Sequence, residues 1–122
     1  MTQSADCAIR GGPNIAMKVP PHRFAATVAF YRDTLSLPVV GEKSDSIAFT
    51  FGPVRLWIDR VERISQAELW LELSTDDTAA AAKHLQRAGV ARCDAVEPLP
   101  KGFDGFWIIN PADIIHLVSN EP

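Results

Sequence analysis

Glu68-Leu69-Trp70-Leu71-Glu72-Leu73 alternates strictly, which is the period of a half-buried β strand. Leu69, Leu71 and Leu73 fall on one face, and Glu68, Trp70 and Glu72 on the other. The leucine face predicts core. Two carboxylates and an indole would be costly against a dry apolar layer without partners, so their face predicts a wet cavity or the exterior. Which of the two it is decides what the chain does.

Downstream of this strand, Ser74-Thr75-Asp76-Asp77 supplies N-cap residues, with a capping box between Ser74 and Asp77, and residues 79–88 have high helix propensity up to the stop at Gly89. A partial strand is expected over 90–96, then a loop over 97–105, a strand over 106–109, a turn at Asn110-Pro111-Ala112-Asp113 and a strand over 114–118. Upstream, residues 1–13 are small and polar, end in Gly11-Gly12-Pro13, and predict a flexible tail. Residues 14–19 alternate as a first strand, with Asn14, Ala16 and Lys18 on one face, and Pro20-Pro21 ends it. Phe24, Val28, Tyr31 and Leu35 then follow helical spacing to about Leu37, before Pro38. Short strands are expected at 39–41, 46–51 and 54–58, followed by a polar connector.

The order βαβββ therefore occurs twice, over 14–59 and 68–119 with a connector at 60–67, and equivalent positions lie roughly 54 to 59 residues apart. Two modules of this size, each too small to fold alone, are best explained as halves of one core within a single domain, 14–122. The chain has 122 residues, 47% hydrophobic and 22% charged, which suits one globular domain. No apolar run approaches the length that crosses a bilayer, so no membrane partner is expected. A net charge of −3 with scattered basic residues predicts no nucleic-acid partner. Cys7 and Cys93 do not make a disulfide framework and no signal peptide is evident, so the expected location is cytoplasmic.

Three motifs carry a family resemblance: Phe30-Tyr31-Arg32-Asp33-Thr34-Leu35-Ser36-Leu37, close to Phe-Tyr-x-x-x-Leu-Gly-Leu; Leu85-Gln86-Arg87-Ala88-Gly89-Val90; and Asn110-Pro111-Ala112-Asp113, close to Asp-Pro-x-Gly. On the repeated βαβββ plan, the chain resembles the vicinal oxygen chelate superfamily, which includes glyoxalase I, bleomycin-resistance proteins and extradiol dioxygenases. The resemblance implies an α+β fold whose two modules form a curled mixed sheet around an open cup, commonly completed as a homodimer. Metal-using members place ligands on the first and last strands of each module. The corresponding positions are Asn14 or Ala16, Trp57, Glu68 and His116. An indole is no ligand, so Glu68 and His116 would be an incomplete set for Zn, Ni, Fe or Mn, and no cofactor is expected. The two could equally form an ion pair or hydrogen bond, with Lys18, that closes a polar patch.

Parity places Trp57 with Arg55, Trp70 with Glu68 and Trp107 with Ile109, so the three tryptophans are expected to face the cup and Phe106 and Ile108 the core. Such indoles suit a flat organic ligand, and an indole serves equally to fill the cup or to pack a dimer seam. The loop 98–105, with glycines flanking Phe103, is placed where the family carries a flap, and also reads as a plain surface hairpin. The leading expectation is a binding or resistance-type protein using Lys18, Arg55, Trp57, Glu68, Trp70, Trp107 and His116, without a metal. The alternative is a metal-dependent glyoxalase-like lyase or isomerase, or an extradiol-type dioxygenase, with Glu68 and His116 as catalytic ligands. Fold alone leaves open whether the chain is an enzyme.

Overall fold

The computed structural model describes residues 8–120. Their regular elements run β1 (Ile9–Val19), α1 (Pro21–Ala29), β2 (Val39–Lys43), β3 (Ser46–Phe51), β4 (Val54–Arg60), β5 (Glu68–Thr75), α2 (Thr78–Arg87), β6 (Ala91–Arg92), β7 (Gly105–Ile109) and β8 (Ile115–Ser119). The α+β class and the twice-repeated βαβββ order stand as expected. No helix among the described residues is long and apolar enough to cross a membrane. The chain divides into two compact units, one spanning Pro13–Trp70, the other running from Leu71 onward and including the start of β1.

In the first unit β1 pairs in parallel with β4, and β4–β3 and β3–β2 are antiparallel, so the strand order is β2-β3-β4-β1. One face of this mixed sheet is apolar because alternate residues are: Val19, Ile47, Phe49, Leu56 and Ile58 bury themselves with Val28 of α1, and Phe24, Tyr31 and Leu37 pack against them. Pro21 opens α1, where its missing N–H costs nothing. The regular helix is shorter than its spacing predicts. From Phe30 to Thr34 the turn widens, with the Leu35 N–H donating to the Phe30 carbonyl, and Ser36 then turns left-handed at φ 56°.

The second unit repeats the plan: β5 pairs in parallel with β8, and β8–β7 and β7–β6 are antiparallel, giving β5-β8-β7-β6. Its core joins Phe106, Ile108 and Val118 to Ala81 of α2, with Leu73 and Leu85 against them. The cap of α2 is Asp77 itself, which accepts from the Ala80 N–H at 3.0 Å. Ser74 forms no capping box: it is buried within the end of β5. Gly89, at φ 80°, ends the helix as expected.

Two expectations need correction. Residues 1–7 of the expected tail lie outside the described residues, but from Ile9 the chain is already strand, straight through Gly11-Gly12-Pro13. Gly12 is needed for close approach, because a Cβ there would lie 2.6 Å from Glu72 Oε1, and Arg10 pairs with Asp76 at 3.1 Å. The leucine face of β5 is core only at Leu73. Leu69 and Leu71 are 48% and 36% exposed, because the core under α2 takes in Leu73 and stops there.

Candidate functional site

The second face of the first unit is set by register. Asn14, Ala16 and Lys18 of β1 stand level with Arg55, Trp57 and Asp59 of β4, and those with Thr50, Ala48 and Ser46 of β3. Polar and small residues thus alternate with the apolar core positions on three neighbouring strands, and one side of the sheet collects the chemistry. Asn14 Oδ1 accepts two hydrogen bonds at 2.9 Å, one from Arg55 Nε and one from Trp57 Nε1. The indole of Trp57 lies over small residues, for a Cβ added at Gly41 would sit 3.2 Å from its Cη2 and 3.6 Å from the Ala48 Cβ. Trp57 stays half-buried, with the Lys43 ammonium 5.0 Å from the ring centre.

At the other end of this face Lys18, only 4% exposed, donates to Asp59 Oδ2 at 2.8 Å and lies 4.3 Å from the centre of the Trp70 ring. A lysine so buried needs such company, since an uncompensated ammonium away from water is costly. Trp70 is half-buried and its Nε1–H donates to Glu68 Oε1 at 3.0 Å, leaving the Glu68 carboxylate at the surface. Lys18, Arg55, Trp57, Glu68 and Trp70 therefore belong to one unit, as does Asn14, and Lys43, Gly41 and Asp59 join them without having been singled out from the sequence. The legible signal for Gly41 was a small residue beside a tryptophan of the expected parity.

Trp107 is closed over, and His116, half-buried, lies on the other face of its sheet. Trp107 has the expected parity, level with Leu117 and opposite to the buried Phe106 and Ile108, but is itself only 5% exposed. Its indole N–H donates to the Glu97 carbonyl at 2.9 Å and its backbone N–H to Asp94 Oδ1 at 3.0 Å, so the 94–97 segment seals it. His116 registers with Leu71 and Ile108, on the side of the second core, and its Nδ1 lies 3.1 Å from the Ile114 carbonyl. The β5 face that carries Glu68, Trp70 and Glu72 meets Leu117 on β8, through Glu72. His116 thus takes the parity of Leu71 and Ile108, not that of Glu72.

The donor set does not fit the divalent metal that the resemblance allows. Asn14 Oδ1 is taken by two N–H donors, Trp57 has no lone pair to offer, and His116 faces the core. Among the described residues no group of three or more His, Cys, Asp or Glu side chains could hold a metal ion. Cys93 has no activated thiol: burial, and then the charge of Asp94, push it above the ordinary cysteine range. Cys7 lies outside the described residues. The loop residue Phe103 packs its ring on Gly105, where an added Cβ would lie 2.7 Å from Cε2.

Residues 16–106 match the glyoxalase-like domain family, and the chain belongs to that family, within the vicinal oxygen chelate superfamily. Among solved structures it is similar to the Mn(II)-bound glyoxalase from Novosphingobium aromaticivorans, at 24% identity and a TM-score of 0.60, over 92% of this chain and 40% of that one. It is also similar to a variant of homoprotocatechuate 2,3-dioxygenase from Brevibacterium fuscum, at 21% identity and a TM-score of 0.64, over 98% of this chain and 34% of the enzyme. The hypothetical protein BH1468 from Bacillus halodurans matches over nearly its whole length, 94% of this chain and 96% of that one, with a TM-score of 0.69 and 10% identity. These likenesses establish the fold. No curated protein matches the sequence.

Proposed function

We propose that the chain is a small-molecule-binding domain of the bleomycin-resistance type, which holds a flat organic compound against the tryptophan-bearing face of its first unit. The observation that supports this most is Trp57: a half-buried indole pinned by its N–H, laid over Gly41 and Ala48, with an exposed lysine 5.0 Å from its ring centre. A bound ring would displace Lys43 at a cost of about 0.5–1 kcal/mol. Burying roughly 100 Å² of apolar ring returns about 2.5 kcal/mol, so stacking wins. Trp70 offers a second aromatic surface, Lys18 holds it from the sheet side, and Arg55 and Glu68 orient polar groups of the ligand.

The alternative, a metal-dependent lyase, isomerase or dioxygenase acting through Glu68 and His116, has the parity of His116 against it. Titrating the protein with planar aromatic compounds while following tryptophan emission tests the binding reading. Quenching is expected to saturate without turnover and to survive EDTA. Trp57→Leu is expected to weaken the interaction about tenfold, the effect of roughly 1.4 kcal/mol. Unaltered affinity in both Trp57→Leu and Trp70→Leu would sink the proposal.

A further inference from the structure

At the Gly52-Pro53 end of the same unit, reached by Arg55, lies an open cleft of about 280 Å³. Pro13, Val40, Pro53 and Val54 form its apolar walls, and Thr50 and Arg55 its polar lining. We infer that this cleft is a subsite for a carboxylate, so that the flat compound bound by the domain is an organic acid; the inference rests on the binding reading above. The volume falls just under the roughly 300–1,000 Å³ of sites that enclose a whole drug-sized ligand, so the cleft takes one end of a molecule.

The chemistry of that end follows from how Arg55 is held. Its Nε donates to Asn14 Oδ1 at 2.9 Å, and among the described residues no carboxylate forms an ion pair with it. An amide oxygen fixes the guanidinium without cancelling its charge, which an aspartate in its place would do. The Nη donors are left for a partner, and an end-on pair of N–H groups matches the two oxygens of a carboxylate. Thr50 stands level with Arg55 on the neighbouring strand and adds a hydroxyl from the same face. One guanidinium balances a single negative charge and the hydroxyl adds a donor, whereas a dianionic phosphate would call for more of both. The oxygen that holds Arg55 also holds Trp57, so anion site and ring platform are tied to one point, with an acid head and a planar body to match.

The test is a titration of the full chain, labelled with 15N, with benzoate and separately with benzamide, which has the same shape and no charge. Benzoate is expected to move the backbone amide signals of Thr50, Gly52 and Val54 and to bind roughly fivefold more tightly than benzamide, about what an exposed ion pair can supply. Arg55→Gln is expected to bring benzoate down to the affinity of benzamide, and Arg55→Lys, with the charge but without paired donors, to fall between. Equal binding of benzoate by all three forms overturns the subsite. So does a result in which both compounds shift the Trp57 indole N–H signal equally while the cleft amides stay still, which leaves the binding reading standing. If neither compound moves any signal, both conclusions fall.

Discussion

Asn14 carries more of the site than its size suggests, because its one amide oxygen serves two side chains of β4. Asn14→Leu leaves both donors without that acceptor and is expected to lower stability by about 1–2 kcal/mol, read from urea unfolding, and to shift the Trp57 emission. The Lys18–Asp59 pair is more demanding, since its lysine is almost completely enclosed. Asp59→Ala is expected to cost roughly 3 kcal/mol by the same measurement, and Lys18→Met, which removes the buried charge itself, clearly less. Ser36 and Asp113 make a separate point. Both adopt left-handed backbone, at φ 56° and 63°, and both stand where the family motifs carry glycine. The resemblance was legible at these turns because the chain has the bend without the residue that makes it easy. Ser36→Gly is expected to raise stability by about 0.5 kcal/mol, a relief of left-handed strain partly offset by glycine's larger freedom in the unfolded chain.

For whole elements, alternation carried the reading furthest where one face is apolar and the other is not. In β1, β3 and β4 the period of two separates Ile15, Met17 and Val19 from Asn14, Ala16 and Lys18, and the register keeps that separation across the sheet. It ran out in β8, where Ile115, Leu117 and Val118 surround His116 and neither parity stands out as polar, so pairing with β5 and β7 fixes which way the imidazole goes. It ran out again at Trp107, whose direction was legible but whose closure depends on a carbonyl ten positions earlier, a contact no local pattern encodes. On β2 the fit beneath the indole gives a direct check. Gly41→Val places branched carbon against Trp57 and is expected to cost about 1–3 kcal/mol and to change the indole's fluorescence; an unaltered spectrum would show that the ring does not rest there.

For the molecule as a whole, acid should act through Asp94. Burial alone would raise its carboxyl, but the Trp107 N–H and the Arg92 guanidinium outweigh that and hold it below the ordinary aspartate range. A carboxyl whose folded value lies below its unfolded value gives its full stabilisation above the unfolded value, and loses it as pH falls through the folded one. The urea midpoint is therefore expected to drop below about pH 4, and to drop less steeply in Asp94→Asn, which keeps an acceptor for Trp107 but does not titrate. The fold and its internal repeat were plain from order and spacing, whereas the site divided: five of the seven residues read as ligand-facing fall in the first unit, and Trp107 and His116 are turned inward or sealed.

That division has an evolutionary side. A fold of two like halves carries redundancy, and here β4 holds a half-buried tryptophan while its counterpart β8 carries Leu117 level with a Trp107 roofed over by its own chain. The second unit closes its core under α2, and covers Trp107, with its own side chains and backbone alone. On the binding reading proposed above, the other half can then vary the compound it holds, one side chain at a time, while the core under α2 stays as it is.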